Sequence, residues 1–237
     1  MLLPDPLISG RLLRRYKRFL ADIELEDGEV ITAHCANPGA MTGLKEPGLK
    51  VWLSRSDNPN RKLKYSWELI EFEDRSPPVF AGINTAQPNR IVREAIEDGR
   101  IAELTGYSGL RSEVRYGQNS RIDLLLEDEH RPPCYVEVKN VHLLRKGDLA
   151  EFPDSVTARG AKHLVELSDM VRRGARAVML YLIQRTDTGC FALAADIDPK
   201  YARAFEAAAR AGVEAYAYDC QITPKHVTLN RRIPFAP

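Results

Sequence analysis

The sequence predicts an α/β protein in two unlike halves, an OB-like small β-barrel over residues 1–84 followed by a mixed α/β domain over residues 85–237. Three observations carry this reading. Residues 10–84 run strand after strand with no helical period, helices and strands alternate from about residue 86, and the change falls at 84–88. With 44% apolar and 28% charged residues, the 237-residue chain can bury a core without disulfides.

In the first half, strands are expected at 12–25, 30–35, 50–54, 65–73 and 79–83. Turn signals at Asp27-Gly28, Asn37-Pro38-Gly39, Glu46-Pro47-Gly48 and Asn58-Pro59-Asn60 separate them. Five strands, the first long enough to bend and serve both sides, describe an OB-fold, and other small barrels share much of the pattern. Trp52 and Trp67 read as core residues, and His34 and Cys35 as barrel residues before a turn.

The second half opens with a helix at Pro88-Asn89 that places Ile91, Val92, Ala95 and Ile96 on one face and ends at Asp98-Gly99. Strands follow at 112–116, 121–126 and 135–141, with turns at Gly117-Gln118-Asn119 and over the polar 127–133 stretch. A helix starts near Asp154-Ser155, carries Leu164, Leu167, Met170 and Val171 as its apolar stripe and stops at Gly174. An apolar strand at 177–183, an Ala-rich helix at 199–210 ended by Gly212, and a strand at 213–218 complete the pattern.

Charge and cysteine usage narrow the function classes. There are 34 Lys and Arg against 33 Asp and Glu, a net charge of +1, and neither half is globally basic. Any nucleic-acid binding therefore rests on local patches rather than a long-range positive field. Cys35, Cys134, Cys190 and Cys220 form no CxxC pair, which excludes a zinc knuckle or redox motif at short spacing. The N-terminus lacks the order of a signal peptide and no apolar run is long enough to span a bilayer, so a cytoplasmic protein without a membrane partner is expected.

The strand Tyr135-Val136-Glu137-Val138-Lys139 projects Glu137 and Lys139 from one face, because strand side chains alternate. In the preceding strand, Ile122, Leu124 and Leu126 take the apolar face and leave Asp123 beside Arg121 and Leu125. Paired as a hairpin, the two strands bring Asp123, Glu137 and Lys139 together. Two hard carboxylates suit Mg²⁺ or Mn²⁺, and a nearby lysine can orient the attacking water of a phosphodiester hydrolysis. An acid-x-Lys triplet alone is a weak signal. Asp198-Pro199-Lys200 is such a triplet, but it sits at a helix start with no acidic strand before it. The competing reading of Glu137 and Lys139 is a cross-strand ion pair on an exposed sheet edge.

Two basic clusters are candidate nucleic-acid contacts. Arg11, Arg14, Arg15, Lys17 and Arg18 crowd the first strand around Tyr16 and Phe19, aromatics that either stack on bases or fill the barrel. Arg159, Lys162 and His163, spaced i, i+3 and i+4, form one patch at the start of the second helix, with Arg121 beside Asp123.

The order helix, strand, strand with Asp, strand with Glu-x-Lys, helix, strand resembles the PD-(D/E)XK nuclease core. Five segments are similar to the sugar fermentation stimulation protein A (SfsA) family. They are Arg14-Arg15-Tyr16-Lys17-Arg18-Phe19; His34-Cys35-Ala36-Asn37-Pro38-Gly39-Ala40-Met41; Gly117-Gln118-Asn119-Ser120-Arg121-Ile122-Asp123; Val136-Glu137-Val138-Lys139-Asn140-Val141; and the run from Phe152-Pro153-Asp154-Ser155 through His163-Leu164. The resemblance implies an OB-like domain, a nuclease-like domain, DNA binding and a link to regulation of sugar (maltose) catabolism. It also implies Asp123 and Glu137 as metal ligands and Lys139 as the catalytic lysine. Ile122 stands where the motif's proline would be, a departure that leaves the ligand in place. A first-helix acid would be Glu94 or Glu97, but both lie off the apolar face and read as solvated charges. Three functions compete: a DNA-binding protein with a divalent-metal nuclease site, a DNA-binding regulator with a degenerate site, and a small-ligand or carbohydrate-binding protein using the barrel.

Overall fold

Lys17 and Arg18 adopt left-handed φ values of 46° and 67°, and there the chain turns back on itself. The single long strand expected at 12–25 is therefore two, β1 (Ile8–Tyr16) and β2 (Leu20–Leu25), paired antiparallel from Gly10↔Leu25 to Tyr16↔Leu20. Consecutive positive φ values match the right-handed twist of a hairpin. With no glycine at the reversal, the alternation of side chains gave no sign of it.

The computed structural model describes residues 1–117 and 119–236. Gln118, in the Gly117-Gln118-Asn119 turn, lies outside the described residues. β3 (Val30–His34), β4 (Lys50–Arg55), β5 (Tyr65–Phe72) and β6 (Val79–Gly82) complete a sheet ordered β3-β2-β1-β4-β5-β6. A further β3–β5 pairing closes it into a five-stranded OB barrel. Leu12, Ile23, Val51, Leu53 and Trp67 fill the interior with no exposed surface, as inward-facing residues of a small barrel must.

The mixed α/β part comprises α1 (Pro88–Glu97), β7 (Gly109–Tyr116), β8 (Ser120–Asp128), β9 (Arg131–Val141), β10 (Leu143–Lys146), β11 (Leu149–Phe152), α2 (Ala158–Arg172), β12 (Arg176–Ile183), β13 (Cys190–Leu193), α3 (Pro199–Arg210), β14 (Glu214–Ile222) and β15 (Val227–Ile233). Its main sheet is ordered β15-β14-β12-β9-β8-β7, parallel across β9, β12 and β14 and antiparallel at both edges. β10, β11 and β13 form a separate three-stranded sheet that the sequence reading did not anticipate, nor did it anticipate β15. The loop expected over 127–133 shrinks to Glu129-His130, where the His130 N–H donates to Asp128 Oδ1 at 2.9 Å.

Each sheet face has its own core. On one face, Ile91, Val92 and Ala95 of α1 pack with Leu124, Val136 and Leu180 of the sheet and with Leu69 from the barrel wall. On the other, Leu164 and Leu167 of α2 pack with Tyr181 and Tyr201. α2 begins at Ala158 rather than near Asp154-Ser155, because Thr157 is its cap and accepts the Gly160 N–H at 3.1 Å. Among the described residues no helix is long and apolar enough to cross a membrane.

Candidate active site

The ladder between β8 and β9 runs through Leu126↔Cys134 and Leu125↔Tyr135 and stops at Leu124↔Val136. Continued, it would set Asp123 opposite Glu137. There the strands part, and Asp123 Oδ2 accepts the Val138 N–H at 2.7 Å in place of a backbone partner. On its other flank, the β7–β8 register skips the Glu113–Asp123 pair, and Glu113 has a φ of 56°. Regular pleating is lost at this point. Ile122 consequently packs into the α2 face while Leu124 and Leu126 pack into the α1 face, so the single apolar face expected over 122–126 is not formed.

Asp123 Oδ1 accepts a hydrogen bond from Asn89 Nδ2 at 2.8 Å, which ties the start of α1 to the site. Burial, then the neighbouring Glu137 charge, push the Asp123 carboxyl up to about 6. On β9, Lys139 Nζ donates to Glu137 Oε1 at 2.7 Å, with the Glu137 side chain 3% and that of Lys139 14% exposed. His163 Nδ1 also contacts Glu137 Oε1 from α2. The Arg159 guanidinium can only donate, and its Nε lies 3.3 Å from His163 Nε2. Nε2 therefore accepts and Nδ1 carries the hydrogen toward Glu137. Burial raises the Glu137 carboxyl, but His163 and Lys139 outweigh it and hold the group below its ordinary value. Glu137 Oε2 is buried with no hydrogen-bond partner among the described residues.

Sequence reasoning missed three neighbours. Asn89 is the Asp123 partner just described. Glu166 is buried on α2 in contact with Lys162 at 3.5 Å, and its only signal was an acid breaking the stripe of Leu164, Leu167 and Met170. The buried Tyr116 hydroxyl has no hydrogen-bond partner among the described residues; burial and the charges of Glu137, Glu166 and Asp123 raise its pKa well above the ordinary value. Glu94 and Glu97 are not at the site. Glu94 takes the N-terminal amine at 2.8 Å and Glu97 pairs with Arg93 at 2.9 Å, both about half exposed. Among the described residues no three His, Cys, Asp or Glu side chains form a metal cage.

The basic residues divide. Arg121, Arg159 and Lys162 are exposed around the site, but His163 lies 3% exposed beneath that patch, drawn in by Glu137. Lys17 and Arg18 sit exposed in the β1–β2 turn. Arg14 pairs with Asp22 at 2.8 Å and lies over the Tyr16 ring at 4.9 Å. Arg15 is directed at the carbonyls of Arg18, Asn37 and Gly39 at 2.8, 2.8 and 3.2 Å, which makes it a loop clamp rather than a surface cation. Phe19 stays 45% exposed and stacks on His34 with ring centroids 6.4 Å apart. Trp67 is core, whereas Trp52 is half-buried and donates to Glu71 Oε2 at 2.9 Å.

Comparison with known proteins accounts for both halves. Residues 86–226 match the sugar fermentation stimulation protein RE domain, and residues 13–77 match the SfsA N-terminal OB domain. The chain belongs to the SfsA family. Sugar fermentation stimulation protein homologs of Maricaulis maris and Jannaschia sp. are 59% and 56% identical to it. The alignments cover 98% and 100% of this chain and 97% and 98% of theirs. The structure of Pyrococcus furiosus SfsA in complex with Ca²⁺ is 26% identical, with a TM-score of 0.87 over 100% of this chain and 98% of that one. The SfsA fold thus extends over both the barrel and the α/β half.

Proposed function

We propose that this SfsA-family protein binds DNA and hydrolyses its phosphodiester backbone at a divalent-cation site held by Asp123 and Glu137. The observation that carries the reading is the convergence of Asp123, Glu137 and Lys139 where β8 and β9 separate. Two carboxylates face each other there, one raised to about 6 partly by the other's charge, with Glu137 Oε2 buried and without a hydrogen-bond partner among the described residues. A pair of hard oxygen donors short of positive charge fits Mg²⁺ or Mn²⁺, whose remaining positions are commonly water. The Ca²⁺ complex of the Pyrococcus furiosus relative supports a divalent cation in this fold. When bound, such a cation supplies Lewis-acid polarisation of a phosphoryl oxygen and a more acidic water.

The chain's own residues do the rest. Lys139, held on Glu137, presents an ammonium to the attacking water and to charge building on the phosphoryl group. Asn89 and the Val138 N–H fix the Asp123 carboxylate, and His163 fixes Glu137. Arg121, Arg159 and Lys162 take the flanking phosphates, and Lys17 and Arg18 extend the contact to the barrel. Because only patches of this kind attract DNA, binding weakens steeply as salt rises.

Incubation of plasmid and oligonucleotide DNA with Mg²⁺, Mn²⁺ or EDTA tests the reading. Cleavage with metal, abolished by Asp123→Ala and Lys139→Ala, supports it, and intact DNA under every condition overturns it. The occupation of Glu137 Oε1 by both His163 and Lys139 favours a second reading, a regulator that binds DNA without cutting it, and the same assay separates the two.

A further inference from the structure

β5 runs along the boundary between the two halves, and both of its faces are covered: Trp67 fills the barrel while Leu69 packs into the α1 core of the main sheet. Between them stands a charged residue. Glu68 is 4% exposed, and the groups that bond its carboxylate are neutral donors. Ser54 Oγ on β4 donates to Oε1 at 2.7 Å, and Asn84 Nδ2 and Gln87 Nε2 donate to Oε2 at 2.9 and 2.7 Å. A carboxylate taken out of water is costly unless such donors replace its hydration. Packing alone is served by an apolar side chain, so what Glu68 adds is the fixed position of its donors.

Two of those donors belong to the joint between the barrel and the α/β half. Asn84 Oδ1 takes the Ala86 N–H at 3.0 Å, and the Thr85 N–H and Oγ1 both donate to the Ala36 carbonyl of the barrel, at 3.0 and 2.8 Å. Gln87 is the N-cap of α1, yet its side chain makes no capping bond, because its amide is turned back to Glu68. A cap side chain that bonds its own helix holds the first turn from within. Here the hold comes from the barrel.

Two residues after Gln87, Asn89 Nδ2 donates to Asp123 Oδ1 at 2.8 Å, and Asp123 Oδ2 accepts the Val138 N–H at 2.7 Å. An unbroken path therefore runs from Glu68 through Gln87 and Asn89 to Asp123, and on to the strand that carries Glu137 and Lys139. The apolar face of α1, at Ile91, Val92 and Ala95, fixes where the helix axis lies. Asn89 stands ahead of that face, in the first turn, where a shift of about 1 Å takes a hydrogen bond out of range.

We propose that Glu68 is a positioning residue of the cation site: it anchors the start of α1 to the barrel and so keeps Asn89 on Asp123. The barrel is then a working part of that site as well as a DNA-contacting surface. The inference rests on the proposed cation site at Asp123 and Glu137 and adds to it a residue on the other half of the chain.

Hydrogen exchange of the Val138 amide, followed by NMR without metal, reads the Asp123 contact. The Leu180 amide, on β12 where the ladder pairs Leu180 with both Val138 and Tyr216, reads the fold as a whole. Glu68→Ala is expected to speed exchange at Val138 about tenfold relative to Leu180, and Gln87→Ala, which cuts the same path without opening a hole in the barrel, about threefold. Glu68→Gln keeps an acceptor for Asn84 and Gln87 and an amide for Ser54 Oγ, so it is expected to exchange as the wild type does. Adding Glu68→Ala to Asn89→Ala is expected to bring no further gain, because the path runs through Asn89. Val138 tracking Leu180 in both Glu68→Ala and Gln87→Ala overturns the proposal, and Gln87→Ala decides alone where Glu68→Ala does not fold. Glu68→Gln behaving like Glu68→Ala overturns it too, as does full multiplication of the two effects in the double variant. Calorimetric titration with Mn²⁺ is the second readout, and affinity is expected to fall about fivefold in Glu68→Ala and to hold in Glu68→Gln. Unchanged affinity in a folded Glu68→Ala protein overturns the proposal. A wild type that takes up no Mn²⁺ sinks the cation reading instead, while the exchange at Val138 still decides whether Glu68 holds Asp123.

Discussion

The Asp123 carboxylate accepts the Val138 N–H at 2.7 Å, standing in for the strand partner that β8 withdraws from β9. One side chain thus holds the split strands and forms half of the proposed cation site. Asp123→Ala is expected to cost about 1–3 kcal/mol, the penalty for leaving a buried donor unpaired, in urea denaturation. It is also expected to remove Mn²⁺ binding in calorimetric titration. Unchanged Mn²⁺ affinity in a folded Asp123→Ala protein would remove Asp123 from the site.

Glu137 and His163 should behave as a unit. Both are buried, and His163→Ala leaves the carboxylate with Lys139 alone, so a loss of about 1.5–3 kcal/mol is expected for removing a hydrogen-bond donor from a buried charge. Glu137→Gln removes the charge that made the loss costly. A double-mutant cycle with His163→Ala should therefore show coupling of about 1–3 kcal/mol, and additivity within error would mean the contact contributes no stability.

His142 gives the fold a pH dependence distinct from that of the metal site. Its ring lies 3.2 Å from the side-chain amides of both Asn37 and Asn140. Burial pulls its pKa down to about 4 from the usual 6.5, with Asp154 opposing and Arg185 adding to the shift. The unfolded chain protonates this ring near 6.5 while the folded chain does not. The stabilising contribution is thus complete above pH 6.5 and is lost as pH falls toward 4. Urea midpoints measured between pH 7 and pH 4 should fall more steeply for the wild type than for His142→Gln, and parallel curves would show that the ring protonates freely in the fold.

These relationships differ in how far the sequence revealed them. Alternation in Val136-Glu137-Val138-Lys139 sufficed to put two charged side chains on one face, because that follows from strand geometry alone. The reversal at Lys17-Arg18 was hidden because positive φ at two long cationic residues leaves no mark on hydrophobic pattern. β10, β11 and β13 have four residues each, too few for a period to register. Asp154 and Ser155 carry capping chemistry, but Thr157 is the residue that caps, and the start of α2 moved accordingly. His163 shares i, i+4 spacing with Arg159 whether the pair is exposed or buried. Only the position of Glu137 across the sheet decides that one stays out and the other goes in.

The contact between barrel and α/β half at Gly39 yields a last expectation. A Cβ there would meet Asp154 Oδ2 at 2.3 Å and Asn37 Oδ1 at 3.1 Å, and both oxygens are engaged, by the Met41 and Gly39 N–H groups respectively. Because Gly39 is not among the glycines with positive φ, the cost of Gly39→Ala is one of space and not of backbone conformation. Overpacking of this kind costs about 1–3 kcal/mol. Asp154→Ser shortens the obstructing side chain, so the Gly39→Ala/Asp154→Ser protein should recover most of the loss relative to Asp154→Ser alone. A Gly39→Ala protein that melts with the wild type would mean the contact opens at little cost, and that the barrel and the α/β half are not held together there.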